Sequence, residues 1–270
     1  MLSERICLRV KGPFACFTRP EFHVERVSYP VITPAAARGV LEAILMKPTE
    51  KPESHKRDDK VGFHWDVLRL GIIRKGCLVP ILRNELGYAR HAAYGFSSGY
   101  DVMEERTQRQ SLILKDVEYL IEAVIEVAEF PDRRGVARLM GKYHNMFLRR
   151  ARAGQCFYQP FLGCREFSAS EWELVEPAEQ AHPNEAINDD FGMIFRDFDF
   201  DPVWKHWGDD EGAPRPTDWT DPADARKVAS DEKYMVHPIP RKPLHAVADR
   251  GWITVATLVD GDKRVQEVHD

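Results

Sequence analysis

The stretch GVARLMGKYHNMFLRRARA, residues 135–153, decides how the rest of this chain is read. On a helical wheel, Val136, Leu139, Met140, Tyr143, Met146 and Phe147 fall on one stripe, and Arg138, Lys142, Asn145, Arg149 and Arg152 on the opposite one. That pattern predicts a helix with one face for a core and a cationic face left over. Immediately before it, residues 111–130 are rich in Val, Ile and Leu and predict a long strand; after it, residues 163–174 predict a returning strand. Further out, GFHWDVLRLGIIRK (62–75) and residues 78–82 read as strands, and residues 84–109 as an extended hairpin or a mobile loop. Residues 33–45, TPAAARGVLEAIL, offer Thr33 as an N-cap and Pro34 at the first helical position, and Lys47-Pro48 closes that helix. RICLRVK (5–11) alternates with period two as a half-buried strand does, with Gly12 and Pro13 expected to stop it. Strand, helix, two strands, helix, strand is the order of an α+β, ferredoxin-like fold of the RRM type, in which an antiparallel sheet carries both helices on one face.

Beyond residue 176 the texture becomes acidic and Pro-rich, with Trp204, Trp207 and Trp219, while 191–200 and 251–259 still read as strands. The expected organisation is a first unit over residues 1–176 and a smaller antiparallel β-rich C-terminal domain over 177–270 with a long acidic loop. The net charge of -5 hides this division. Residues 131–166 hold eight Lys or Arg against two acids, and residues 171–232 hold five against eighteen, so a basic surface is compatible with a mildly acidic chain. No apolar run approaches the roughly 20 residues of a spanning helix, and the first ten residues carry Glu4, Arg5 and Arg9, so the expectation is a cytoplasmic protein without a membrane partner. Five cysteines, Cys7, Cys16, Cys77, Cys156 and Cys164, form no C-x-x-C pair and read as reduced, mostly buried thiols.

A cationic helix face can be a solvated face. What favours a ligand here is the near absence of acidic partners around it, since a merely solvated face mixes signs. The helix is followed by GQCFYQPFLGCREF (154–167), which combines glycines, aromatics and Arg165. Glycine lets backbone approach a phosphate, aromatics stack on unpaired bases, and arginine pairs with phosphate; aromatics in a strand are equally the stuff of a core. Arg38, Arg83, Arg106, Arg109, Arg149, Arg150, Arg152 and Arg165 are the candidate RNA contacts. The run DFDFD, with Asp197, Asp199 and Asp201, lacks the glycine and distal glutamate of a calcium loop and reads as an exposed strand face, so no metal site and no cofactor is expected. His64 and His91 read as structural or RNA-contacting.

The blocks YPVITPAAARGVLEAILMKP (29–48), RNE (83–85), RTQR (106–109) and GKYHNMFLRRARAGQCFYQPFLGCREF (141–167) resemble, in this order along the chain, the CRISPR-associated RAMP proteins of subtype I-C. The resemblance runs from about residue 5 to 167 and is looser beyond. It implies a ferredoxin-like RAMP domain plus a small C-terminal β domain. The implied activity is that of a metal-independent endoribonuclease. It would cut precursor CRISPR RNA at the base of the repeat stem-loop, keep the 5′ handle, and sit beside the backbone and large subunits of a surveillance (Cascade) complex in antiviral defence. Contact with target DNA is left open. Such a cut needs a proton acceptor, a proton donor and a cation for the developing charge.

By resemblance, the catalytic candidates are Lys142, Tyr143 and His144. Members carry a lysine followed directly by a histidine at the second helix and a tyrosine in the first helix before Lys-Pro. Here Lys142 matches the lysine, Tyr143 takes the histidine's place, His144 lies one residue on, and the tyrosine falls on Leu45. Residues i and i+2 of a regular helix point about 200° apart, so Lys142 and His144 do not share a face of one. Three solutions stay open: the helix starts near these residues, His144 is a bystander, or Tyr143 replaces the histidine. Two other functions compete with cleavage: a non-cutting scaffold that caps the handle, and a free-standing RRM-like regulator of other RNAs.

Overall fold

The computed structural model describes residues 2–22, 24–47, 62–86, 106–127, 133–199, 239–259 and 262–265. Its strands are β1 (Ile6–Ala15), β2 (Arg26–Val27), β3 (Phe63–Arg74), β4 (Cys77–Leu86), β5 (Arg106–Val127), β6 (Glu171–Leu174), β7 (Asp190–Ile194), β8 (Phe198–Asp199), β9 (Ile239–Pro240), β10 (Leu244–Asp249), β11 (Trp252–Thr254), β12 (Ala256–Val259) and β13 (Asp262–Val265). The helices are α1 (Pro34–Ile44) and α2 (Arg133–Arg152). One sheet runs in the order β6-β1-β5-β3-β11-β10-β7, its successive pairs antiparallel, with the short β2 added parallel to β5. β12 with β13 and β8 with β9 make two small ribbons.

Period-two alternation sorts the central strands into two faces. Ile6, Leu8 and Val10 of β1, Trp65, Leu70 and Ile72 of β3, and Tyr119, Ile121 and Ala123 of β5 share one core with Val40, Leu41 and Ile44 of α1 and Leu139, Tyr143 and Phe147 of α2. Both helices therefore lie on one side of the sheet, as the apolar stripes require. Thr33 caps α1, its hydroxyl accepting from the Ala36 N–H at 3.2 Å. Trp65 seals the seam, donating its indole N–H to the Leu45 carbonyl at 3.0 Å and meeting the Phe147 ring edge-on at 4.6 Å.

Several boundaries move from where the sequence put them. β1 runs through Gly12 and Pro13 to Ala15, because the ladder pairs Gly12 with Val117 and Phe14 with Lys115 and passes over Pro13. Gly12 makes room there for Leu162: a Cβ would lie 2.5 Å from Leu162 Cδ1, so a larger residue would shift that buried side chain. β5 starts at Arg106 and answers β4 residue by residue from Cys77↔Lys115 to Leu86↔Arg106, so 84–86 and 106–109 are arms of a hairpin; residues 87–105, His91 among them, lie outside the described residues. β3 and β4 form one line along β5 bent at Lys75-Gly76, where Gly76 has φ +74 and a Cβ would meet the Lys115 carbonyl oxygen at 2.4 Å. Of 163–174, only Glu171–Leu174 is a strand; Gly163 to Ser170 turn back under β1. β11 hydrogen-bonds to β3, pairing Ile253 with Leu70, so the sheet passes through the boundary expected at 176/177. Trp204, Trp207 and Trp219 lie outside the described residues.

The helix-free face of the sheet is charged. Glu118 and Glu122 of β5 are 3% and 2% exposed. Arg9 holds Glu118 and, at 2.5 Å, Glu173; Arg69 holds Glu122 at 2.5 and 3.1 Å; Arg74 and Arg5 approach the same two acids at 3.5 Å. Hydrogen bonding to Glu118 and then Glu173 pushes the Arg9 pKa further up. Between these pairs, burial pushes the Cys7 thiol up to about 12, which makes it an inert packing group. All five cysteines are free; Cys7 and Cys16 are buried, Cys156 and Cys164 intermediate and Cys77 exposed.

Candidate nucleic-acid interface

α2 divides as its wheel predicts. Leu139, Tyr143, Phe147 and Ala151 are buried, while Arg138, Lys142, Asn145, Arg149 and Arg152 are exposed, and Met140 and Met146 pack at the margin. Its last turn carries Arg149, Arg150 and Arg152 at the negative end of the helix dipole. Gly154 ends it, with φ +64, and the Gln155 N–H closes back on the Arg150 carbonyl at 2.9 Å.

The helix is regular from Arg133, nine residues before Lys142, so no helix start falls near the three catalytic candidates. Lys142 is exposed, and its Nζ lies 5.9 Å from the centre of the Tyr143 ring. Tyr143 is 2% exposed and packs against Phe63 at 5.1 Å between centroids. His144 turns away, as the helix geometry demands. Its Nε2 is buried with no hydrogen-bond partner among the described residues. Burial, more than the nearby Arg152, holds its pKa below the usual histidine value against the opposite pull of Glu4 and Glu176. Lys142 and Tyr143 are thus brought together and His144 is not. Leu45, at the position of the family's tyrosine, is 1% exposed in the core.

The candidate RNA-contacting arginines split. Arg38 grips Asp197 with two bonds of 2.8 and 3.0 Å and Glu42 at 2.6 Å, joining α1 to the segment after β7. Asp197 is therefore a half-buried ion-pair partner that also accepts the Phe198 N–H at 2.8 Å, instead of part of an exposed strand face. Arg83 is held by Glu166 and by Glu85 at 2.8 Å, and Arg109 donates to the Val24 carbonyl at 3.1 Å. Arg150 donates to the Ile44 carbonyl at 3.0 Å, satisfying the end of α1. Arg152 forms a forked pair with Glu176 at 2.6 and 2.9 Å. Arg106, Arg149 and Arg165 are exposed and make no ion pair among the described residues.

The loop after α2 adds groups that the arginine pattern did not single out. Phe157 is 79% and Tyr158 40% exposed. Arg26 of β2 lies 3.3 Å from both Cys164 Sγ and Glu166. Cys164 and Cys16 share the Thr18 hydroxyl at 3.7 Å, and Gly163 fits against β1 so closely that a Cβ would lie 2.0 Å from the Cys16 carbonyl oxygen. Hydrogen bonding from Cys16, then from Thr18 and Arg26, pulls the Cys164 thiol below its usual range, while Cys16 is pushed up. Only the fold shows this, because Cys16 and Cys164 are far apart in sequence.

With this geometry in view, comparison with known proteins is specific. The Cas5d family model, described as CRISPR-associated protein (Cas_Cas5), matches residues 5–247. The chain belongs to this family. A Cas5d relative from Thermus thermophilus, named CRISPR pre-crRNA endoribonuclease Cas5d, is 40% identical over 196 residues, which are 73% of this chain and 74% of the relative. A protein of the same name from Mannheimia succiniciproducens is 38% identical over 215 residues, covering 74% of this chain and 87% of the relative. A crystal structure described as a CRISPR-associated protein superposes over 94% of this chain and 92% of its own, with a TM-score of 0.52 at 22% identity, and so shares the Cas5d chain's mostly antiparallel α+β fold. Among the described residues no helix is long and apolar enough to cross a membrane.

Proposed function

We propose that this protein is a metal-independent endoribonuclease that cuts precursor CRISPR RNA at the repeat stem-loop, retains the 5′ handle and works as a cytoplasmic subunit of a type I-C surveillance complex. The observation that carries the reading is the exposed stripe of α2 in a chain 40% identical to a named pre-crRNA endoribonuclease. We read residues 1–176 as a ferredoxin-like RNA-binding unit, supported by the strand order β6-β1-β5-β3 with α1 and α2 on one face, and residues 177–270 as its β-rich extension. RNA backbone would run along Lys142 and Arg149, with Arg165 and Arg106 as outlying contacts. The committed arginines, Arg38, Arg83, Arg109, Arg150 and Arg152, would shape the surface more than touch the ligand. Backbone and large subunits are the expected partners, and target DNA a further one.

In the cut, the ribose 2′ oxygen bonds to the adjacent phosphorus as the bond to the 5′ oxygen breaks. The 2′ proton leaves to an acceptor and a proton reaches the departing 5′ oxygen. An exposed ammonium at Lys142 answers the charge that grows on the phosphate oxygens. Of the three candidates, Lys142 is the one exposed to a bound phosphate; Tyr143 is enclosed against Phe63 and His144 points to another face. Incubating the protein with repeat RNA in EDTA tests this, with a 2′-deoxy substitution at the cut site as control. Cleavage of the ordinary RNA only is expected; intact RNA, or cutting of the deoxy control, overturns the reading. Lys142→Ala should lose cleavage while handle binding survives. A second reading, a handle-binding scaffold that does not cut, draws on the buried Leu45 and the enclosed Tyr143. It predicts tight binding with no cleavage by the wild type.

A further inference from the structure

Phe157 and Tyr158 are the unexplained feature of this surface. Large aromatics bury 150–250 Å² when they contribute to a core, yet Phe157 is 79% exposed. The pair is not on a loose loop. The N–H groups of Phe157 and Tyr158 both point at the Ala43 carbonyl, at 2.8 and 3.3 Å, in the last turn of α1. Downstream, Gln159 Nε2 donates to the Ala169 carbonyl at 2.9 Å, Leu162 is fully buried, and Phe161 bridges Ser168. Tyr158 stacks on Phe161 at 6.2 Å and 25°, and Phe157 stands edge-on to Tyr158 at 5.8 Å. The rings are therefore held by backbone and neighbours while one of them faces solvent. Their place is set by α2 as well: Arg150 reaches the adjacent Ile44 carbonyl, so the cationic last turn with the exposed Arg149 ends beside them. An exposed aromatic anchored at the end of α1 that the basic last turn of α2 also reaches matches the chemistry of single-stranded nucleic acid, whose bases stack while their phosphates pair.

We propose that Phe157, backed by Tyr158, is a stacking platform for an unpaired base of the RNA next to the stem, with Arg149 on a neighbouring phosphate. This rests on the reading of the chain as an RNA-binding endoribonuclease and adds where and how an unpaired base is held.

The test uses the full chain and an RNA hairpin of the repeat carrying its unpaired flank, together with copies that have a single abasic ribose at each flank position in turn. Affinity is read by fluorescence anisotropy across a salt series. Phe157→Ala is expected to weaken intact RNA about 5- to 150-fold, the range for loss of one stacked base. One abasic RNA should bind wild type and Phe157→Ala alike. Phe157→Trp should bind as the wild type does, and the salt slope should not change, because a ring releases no counterions. Unchanged affinity in Phe157→Ala with cleavage intact overturns the platform and leaves the endoribonuclease standing. An equal loss on every abasic RNA overturns it as well, as does loss of a protein partner with RNA affinity intact. A wild-type protein that neither binds nor cuts the hairpin overturns both readings.

Discussion

Arg9 and Arg149 are the same residue in opposite surroundings. On the helix-free face of the sheet, Arg5, Arg9, Arg69 and Arg74 stand over Glu118 and Glu122, two acids almost wholly removed from water. On α2, Lys142 and Arg149 stand with no acid against them among the described residues. The first set is spent on the fold, since an unpaired buried carboxylate costs several kcal/mol and each arginine offsets part of that. The second set forms no ion pair among the described residues; beyond the contact of Lys142 with the Tyr143 ring and the place of Arg149 at the negative end of the helix, its charge is left to solvent. Basic residues thus mark a ligand surface only where the fold has left them without partners.

That contrast can be broken in four ways. The largest effect is expected for Lys142→Ala, which should slow cleavage of repeat RNA about 100-fold or more, with stability changed by under ~0.5 kcal/mol. A variant that cuts normally would remove Lys142 from the chemistry. Next, Glu122→Ala should lower unfolding free energy by about 2 kcal/mol in a urea titration, a figure below the range for fully buried pairs because Arg5 and Arg69 are 49% and 36% exposed. It should leave the salt dependence of RNA binding where it was. Third, Arg149→Ala should flatten the plot of log affinity against log salt by about 0.7 to 0.9, one phosphate contact, while Arg9→Ala should not. An equal change in both slopes would erase the distinction between the two surfaces.

The smallest effect concerns pH. Burial keeps His144 neutral in the folded protein below the pH at which the free side chain takes up a proton. As pH falls through the unfolded value near 6.5, the unfolded chain binds a proton that the folded one does not, so stability declines until the lower folded pKa is passed. Thermal melts between pH 7.5 and 5 should show this decline reduced in His144→Gln. An unchanged pH profile would mean that the ring is solvated and free to serve the reaction.

Much of this was legible in the one-dimensional pattern. The period of α2 named its buried and exposed residues, the Thr33-Pro34 pair set the start of α1 within one residue, and strand alternation placed β3 and the end of β5. Other boundaries were not, for a common reason. Gly12 and Pro13 look like a stop, but whether they end a strand depends on Leu162 and on the partner strand β5. The aromatic loop looked equally like a core strand, and only the anchors to Ala43 decide that Phe157 stays outside.

The sequence by itself determined which residues share a stripe along one element, because helix and strand periods are local: Lys142 with Arg149, and Tyr143 with Phe147. That the helix is regular from Arg133, so that Lys142 and His144 part, and that Tyr143 is buried came from the structure. Tertiary structure alone decided which charges are free. Arg38 and Asp197 lie 159 residues apart and Arg9 and Glu118 109, and no local rule carries a pairing over such a distance. Strand register and chain crossing fix those partners, and with them which arginines remain for RNA.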